Sequence, residues 1–230
     1  MIPAVAACGK PGEALSRMGR MSQNPADWTP VTTERLLLRR LEGTDYDAAL
    51  RIHTDPRTNL HNPLTPTTES AAKSLQDFLD HWDREGFGYW AVEERDAPGT
   101  VIGFTGLQRA MVDDRELLNL YYRYAPAVWG RGYAKEGARE AVQRARELLP
   151  DLPVLARTTA SNILSQRTAQ AAGLRHRPEL DRHYAGLPEV YLVFGWPDGS
   201  PETGAVAQKT SAATGSTTPS PVNSSSATGP

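Results

Sequence analysis

Gly130 and Gly132 stand two residues apart in Trp129-Gly-Arg-Gly-Tyr-Ala-Lys-Glu136, after the aromatic, β-prone run 117–124 and Pro126 and before a long helical pattern. The backbone N–H groups of a helix's first turn have no intrahelical partners, and the aligned peptide dipoles place partial positive charge there. Glycines let a ligand come close to that end. A strand, a two-glycine turn and a helix start therefore make a receptor for phosphate or pyrophosphate. Standing alone, G-x-G between a strand and a helix more commonly means a tight turn. Two familiar phosphate motifs are excluded: no Lys-Ser/Thr pair follows the glycines, and Lys135 replaces the third glycine of G-x-G-x-x-G, far from the first strand.

A second group lies downstream, in Asn162-Ile-Leu-Ser165, Arg167 and Gly173-Leu174. Each member has an ordinary role beside any chemical one: Asn162 as a helix cap, Ser165 as a first-turn residue, Arg167 as a solvated charge. His53, His61 and His183 titrate near neutrality, though surface or core packing is the commoner use of a histidine. No H-E-x-x-H or clustered His/Asp spacing appears, so no metal is expected. The single cysteine, Cys8, excludes a disulfide framework or a cysteine zinc site within one chain.

The elements that must position these residues read as mixed α/β. Residues 35–41 form a short apolar strand and 46–53 a helix. The segment 55–66 is a proline- and asparagine-rich loop. Thr67 and Thr68 open a helix over 71–84, with Leu75, Phe78, Leu79 and Trp82 at helical spacing. Strands at 89–93 and 100–107 make a hairpin across 95–99. The run 117–124 is a further strand. The helix 133–149 carries the stripe Ala134, Ala138, Ala141, Val142, Ala145, Leu148 and Leu149, with Lys135, Glu136, Arg139, Glu140 and Arg144 facing away. Residues 154–158 are a strand, 163–172 a helix ended by Gly173, and 190–194 a last strand.

The whole chain has 230 residues, enough for one domain with a sizeable core. Its hydrophobic content, 39%, is low for a compact domain, and the two ends account for the deficit. Residues 1–28 read as an N-terminal extension and 197–230 as a disordered Ser/Thr/Ala/Gly/Pro tail, leaving 29–196 as the folded unit. Lys+Arg 25 against Asp+Glu 27 gives a net charge of −2, which offers a nucleic-acid partner no support. No apolar stretch approaches the length needed to span a bilayer, and the N-terminus lacks the charged n-region of a signal peptide. The expectation is a cytoplasmic protein without membrane or nucleic-acid partners, monomeric or homodimeric.

Trp129–Glu136 resembles the acetyl-CoA loop of the GCN5-related N-acetyltransferases (GNAT), in which Gln/Arg-x-x-Gly-x-Gly/Ala is usual; Gly132 and Ala134 fill its last two positions. The W-G-x-G-Y-A wording is similar to the branch that acetylates ribosomal-protein N-termini, the RimJ/RimL-like enzymes. Asn162, Ser165, Arg167 and Gly173-Leu174 match a second family motif, and the element order agrees from about 32 to 196. The resemblance implies a central, mostly antiparallel, splayed sheet flanked by helices, and acetyl-CoA as co-substrate. It implies that amides around Val128, Trp129, Gly130, Arg131, Gly132, Tyr133, Ala134 and Lys135 wrap the pyrophosphate, and that Tyr124 also binds the cofactor. The pantetheine arm would lie where 117–124 splays from 154–158. Asn162 would bond that arm, Ser165 would sit by the thioester sulfur and Arg167 would reach the phosphate end.

Acetyl transfer to an amine needs a neutral nitrogen, a polarised thioester and a proton for the leaving thiolate. Ser165, where many relatives have tyrosine, is the expected acid. The resemblance puts Asn119 in the slot of the usual glutamate, and asparagine takes no proton at neutral pH. Glu116 is displaced by three residues and so faces the other way; Asp113 and Asp114 are near only in sequence. No base is assigned. His61, Trp82, Phe87 and Tyr89 are candidates for the acceptor wall, although such aromatics are more often core. The acceptor is a primary amine, of a peptide or a small molecule. The rival reading is a weakly active or inactive acyl-CoA-binding module that senses or assembles.

Overall fold

The computed structural model describes residues 25–196 other than 63 and 65; positions 1–24 of the extension expected at 1–28, and the tail at 197–230, lie outside the described residues. Its elements begin with α1 (Pro25–Trp28), β1 (Val31–Thr32), β2 (Leu36–Arg40), α2 (Tyr46–Thr54) and α3 (Thr68–Glu85). Then come β3 (Tyr89–Glu94), β4 (Ala97–Val112), β5 (Arg115–Tyr124), α4 (Tyr133–Leu148), β6 (Val154–Thr159) and α5 (Ile163–Ala171). The series ends with β7 (Arg175–His176), β8 (Arg182–Tyr184) and β9 (Leu187–Phe194). The strands join one sheet in the order β1-β2-β3-β4-β5-β6-β9-β7, with β8 also on β9. All its pairings are antiparallel except β5 with β6. This is the mixed α/β, mostly antiparallel architecture expected.

Two differences from the sequence reading have clear causes. The strands expected at 100–107 and 117–124 are parts of one long hairpin, β4 and β5, in unbroken register from Gly103↔Tyr124 to Val112↔Arg115. Asp113 and Asp114 close it at φ 49° and 60°, the left-handed pair that a two-residue hairpin turn demands and that Asp tolerates. The folded unit also starts before residue 29. Trp28 is fully buried, its ring stacks on Phe87 at 4.7 Å, and its carbonyl accepts a hydrogen bond from Trp90 Nε1 at 2.7 Å. The wide spacing of apolar residues before Val31 hid this anchor.

Alternation along β5 assigns the two faces of the sheet. Tyr121 reaches His53 of α2, whereas Tyr124 lies under Gly137 of α4. So α2 and α3 cover one face, and α4 and α5 the other. β5 and β6 pair only at Leu118↔Val154 and Asn119↔Leu155. Beyond those residues they part, and β6 continues on β9 alone, as far as Thr159↔Glu189. The sheet is therefore split by a wedge-shaped opening between Leu120–Tyr124 and Ala156–Thr159.

Candidate functional site

The glycine turn sits at the wide end of this wedge. Gly130 and Gly132 adopt φ 79° and 82°, where a side chain would be strained. A Cβ on Gly130 would meet nothing within 4 Å, and one on Gly132 only the tip of Arg35 at 3.5 Å. Both glycines thus present bare backbone to open space. Five consecutive amides, Gly130 to Ala134, have no hydrogen-bond partner among the described residues, while their neighbours are paired. Val128 N donates to Ala125 O, Trp129 N to Pro126 O and Lys135 N to Gly132 O. The donor run expected over Val128–Lys135 is narrowed to its middle.

Side chains hold this turn from outside. Trp129 Nε1 donates to Tyr124 O at 2.8 Å. Arg131 Nη1 and Tyr133 Oη both donate to Glu94 Oε1, at 2.7 and 2.9 Å. Glu136, read from sequence as facing solvent, accepts from Thr33 Oγ1, Arg35 N and Arg35 Nε. Partial burial works against its charge, yet those hydrogen bonds keep the carboxyl below its ordinary pKa. Arg35 Nη1 also donates to Arg131 O. The helix start is therefore clamped to the β1–β2 turn and to β3, with the side chains of Arg131 and Tyr133 turned to Glu94 and their amides left unpaired among the described residues. Tyr124 departs from expectation. Even-numbered positions of β5 face α4, so its ring is buried and its carbonyl serves Trp129. It supports the turn from beneath. Lys135 is exposed beside it.

Across the wedge, Asn162 Oδ1 accepts from Ser165 N at 3.1 Å, capping α5; its Nδ2 has no partner among the described residues. Ser165 is joined to Tyr122 of β5, a residue the sequence reading passed over. Tyr122 Oη lies 2.8 Å from Ser165 O, which accepts from it, and 2.9 Å from Ser165 Oγ. Burial pushes the Tyr122 phenol up to about 12, so it keeps its proton. Its position on the same face of β5 as Leu120 was the available signal. Arg167 is exposed on the next turn of α5.

The face under α2 and α3 is polar near the opening. Asn119 Nδ2 donates to Tyr89 Oη at 2.7 Å, and burial raises the Tyr89 phenol above its usual pKa. His53 Nδ1 lies 2.8 Å from Ala49 O, which only accepts, so Nδ1 carries the proton and Nε2 accepts from Tyr121 Oη at 2.8 Å. Burial and nearby Arg123 push this imidazole down to about 4, which makes it a neutral core group rather than a base. His61 is exposed, with Nδ1 3.2 Å from Ser161 Oγ. His183 is exposed on β8. Glu116 pairs with Arg109 at 2.7 Å, and Asp113 pairs with Arg182 at the far hairpin tip. Trp82, Phe87 and Tyr89 are buried, which assigns them to the core and removes them from the acceptor wall.

Comparison with known proteins agrees with this fold. A model of the acetyltransferase (GNAT) domain family matches residues 35–175. A curated protein of Aspergillus fumigatus, FsC-acetyl coenzyme A-N(2)-transacetylase, is 44% identical over 153 residues, covering 63% of this chain and 64% of that one. The chain thus spans a little under two thirds of that relative's length. Among solved structures, an acetyltransferase from Agrobacterium tumefaciens superposes with a TM-score of 0.61 at 23% identity, covering 71% and 92% of the two chains. A Vibrio cholerae spermidine N-acetyltransferase, in complex with CoA and spermine, gives 0.57 at 14%, covering 70% and 96%. At those identities the likeness is one of fold.

Proposed function

Because this chain belongs to the GNAT acetyltransferase domain family, we propose that it moves the acetyl group of acetyl-CoA directly onto a primary amine, both substrates being bound together. The observation that carries the reading is the run of five unpartnered amides at the start of α4, facing open space beside a parted pair of strands. A diphosphate satisfies those donors and the dipole behind them. An extended pantetheine arm fits between β5 and β6 as a strand would, with Asn162 Nδ2 free to meet it. Lys135 and Arg167 flank the mouth as exposed cations suited to the phosphate end. Ser165, backed by Tyr122, supplies a hydroxyl for the departing thiolate.

The acceptor side is rimmed by exposed Leu60 and Leu64 and, across the His61–Ser161 contact, by Ile163 and Leu164. That rim suits an amine carried on a partly apolar body. The name of the 44% identical relative points to acetylation of FsC at a nitrogen, and the spermidine N-acetyltransferase to a small amine, whereas the W-G-x-G-Y-A wording keeps a protein N-terminus in play. Release of free CoA is the assay, with FsC, spermidine and a ribosomal-protein N-terminal peptide as acceptors. Steady turnover with at least one amine is expected. Tight acetyl-CoA binding without turnover on any amine would replace the transferase by a CoA-binding module.

A further inference from the structure

Glu189 is 1% exposed, and neither of its carboxylate oxygens has a hydrogen-bond partner among the described residues. Arg157 Nη1 makes a long ion pair with Oε2 at 3.9 Å, beyond hydrogen-bond reach. Arg182, its β8 neighbour in register, directs its guanidinium to Asp113 instead. A buried carboxylate left in this state is costly, and burial accordingly raises its pKa despite Arg157. Carboxylates in such an environment cluster at functional sites.

Strand register says where it is. Directly paired residues share a face of the sheet. Asn119 pairs with Leu155, Leu155 with Val193, and Thr159 with Glu189. Leu155 and Thr159 are four apart on β6, and Val193 and Glu189 four apart on β9, so all lie on the face that carries Asn119. Glu189 therefore stands on the acceptor face, beside the end of β6 that has left β5. Gln108, in register with Asn119, adds a second unsatisfied group to that face: its Nε2 is buried without a hydrogen-bond partner among the described residues. The slot that holds Asn119 cannot accept a proton, and the buried His53 is already occupied. Glu189 offers this face a carboxylate whose oxygens accept no hydrogen bond among the described residues.

We infer that Glu189 meets the protonated amine of the acceptor, pairing with it as a carboxylate–ammonium contact and then taking its proton. The step balances: the ammonium N–H bond breaks, Glu189 becomes the neutral acid, and the nitrogen lone pair attacks the thioester carbonyl. The C–S bond then breaks, and a second N–H proton ends on the thiolate, giving amide and CoA thiol. Glu189 returns its proton to solvent after product leaves.

This rests on the acetyl-transfer reading, and the test keeps the two apart. Glu189→Gln is compared with the native protein on the best acceptor found. Its kcat/KM for the amine is expected to fall about 100-fold, with acetyl-CoA affinity within twofold by calorimetry and partial recovery in Glu189→Asp. Its melting temperature at pH 7.5 is expected to equal or exceed the native value, because a buried charge held only by a long ion pair to Arg157 has been removed. Native turnover with Glu189→Gln within threefold of it would overturn the role of Glu189 and leave acetyl transfer standing. Binding of acetyl-CoA by both proteins with turnover by neither would sink both. A variant melting several degrees lower would also overturn the inference, since it would show a carboxylate held by partners of its own.

Discussion

At the scale of single residues, the hydroxyl pair Ser165–Tyr122 makes the sharpest prediction. Either hydroxyl can cover for part of the other, because both sit within 2.9 Å at one point of the opening. Ser165→Ala is expected to lower turnover about tenfold with acetyl-CoA affinity nearly intact, and Ser165→Ala with Tyr122→Phe about 100-fold. Unchanged turnover in the double variant would remove the acid role. Asn162, Ser165 and the two glycines were legible because their motif spacing is short and local. Tyr122 and Glu189 were not, because their meaning lies in long-range register. Sequence alone predicts the last strand over 190–194, one residue short of Glu189. Extending the alternation of Tyr191 and Val193 back by two positions would have flagged an acid at an inward position.

At the scale of elements, α4 approaches the sheet so closely that its contact position must be glycine. A Cβ on Gly137 would lie 2.6 Å from Tyr124 Oη and 2.8 Å from Thr105 Cγ2. Alanine is the better helix former by about 1 kcal/mol, but overpacking costs about 1–3 kcal/mol. Gly137→Ala is therefore expected to destabilise the protein in urea melts, against intrinsic propensity. Tyr124 Oη is itself buried without a partner among the described residues, so Tyr124→Phe is expected to be neutral or stabilising. It should also recover part of the Gly137→Ala loss. Additive effects of the two substitutions would contradict this contact. The amphipathic stripe of the helix was readable from sequence; the need for glycine at 137 was not, since it depends on a strand thirteen residues earlier. Glu136 teaches the same point. Helical periodicity placed it on the outer face, yet its partners Thr33 and Arg35 come from the other end of the domain.

At the scale of the whole molecule, two buried imidazoles set the response to acid. His53 and His81 are both pushed down to about 4, chiefly by burial, against about 6.5 in an unfolded chain. The unfolded state thus binds more protons between those values. Their contribution is fully present above about pH 6.5 and is lost as pH falls towards 4. Denaturation at pH 7 and pH 5 is expected to differ by about 2 kcal/mol per imidazole, and equal stability would refute their neutral burial. The N-terminal anchor belongs to this scale too: Trp28→Ala is expected to cost about 3–5 kcal/mol. Fold class and element order were legible because they follow from periodicity, whereas the edges of the folded unit depend on one tryptophan among weakly patterned residues. The most direct test of the account is the affinity of acetyl-CoA for the native protein and for Gly132→Glu, measured by calorimetry. The substitution puts a carboxylate at the mouth of the amide run, where a Cβ meets no backbone. Binding by the native protein, weakened at least 100-fold in the variant while both still melt cooperatively, is the predicted result; equal affinity in the two proteins would contradict it.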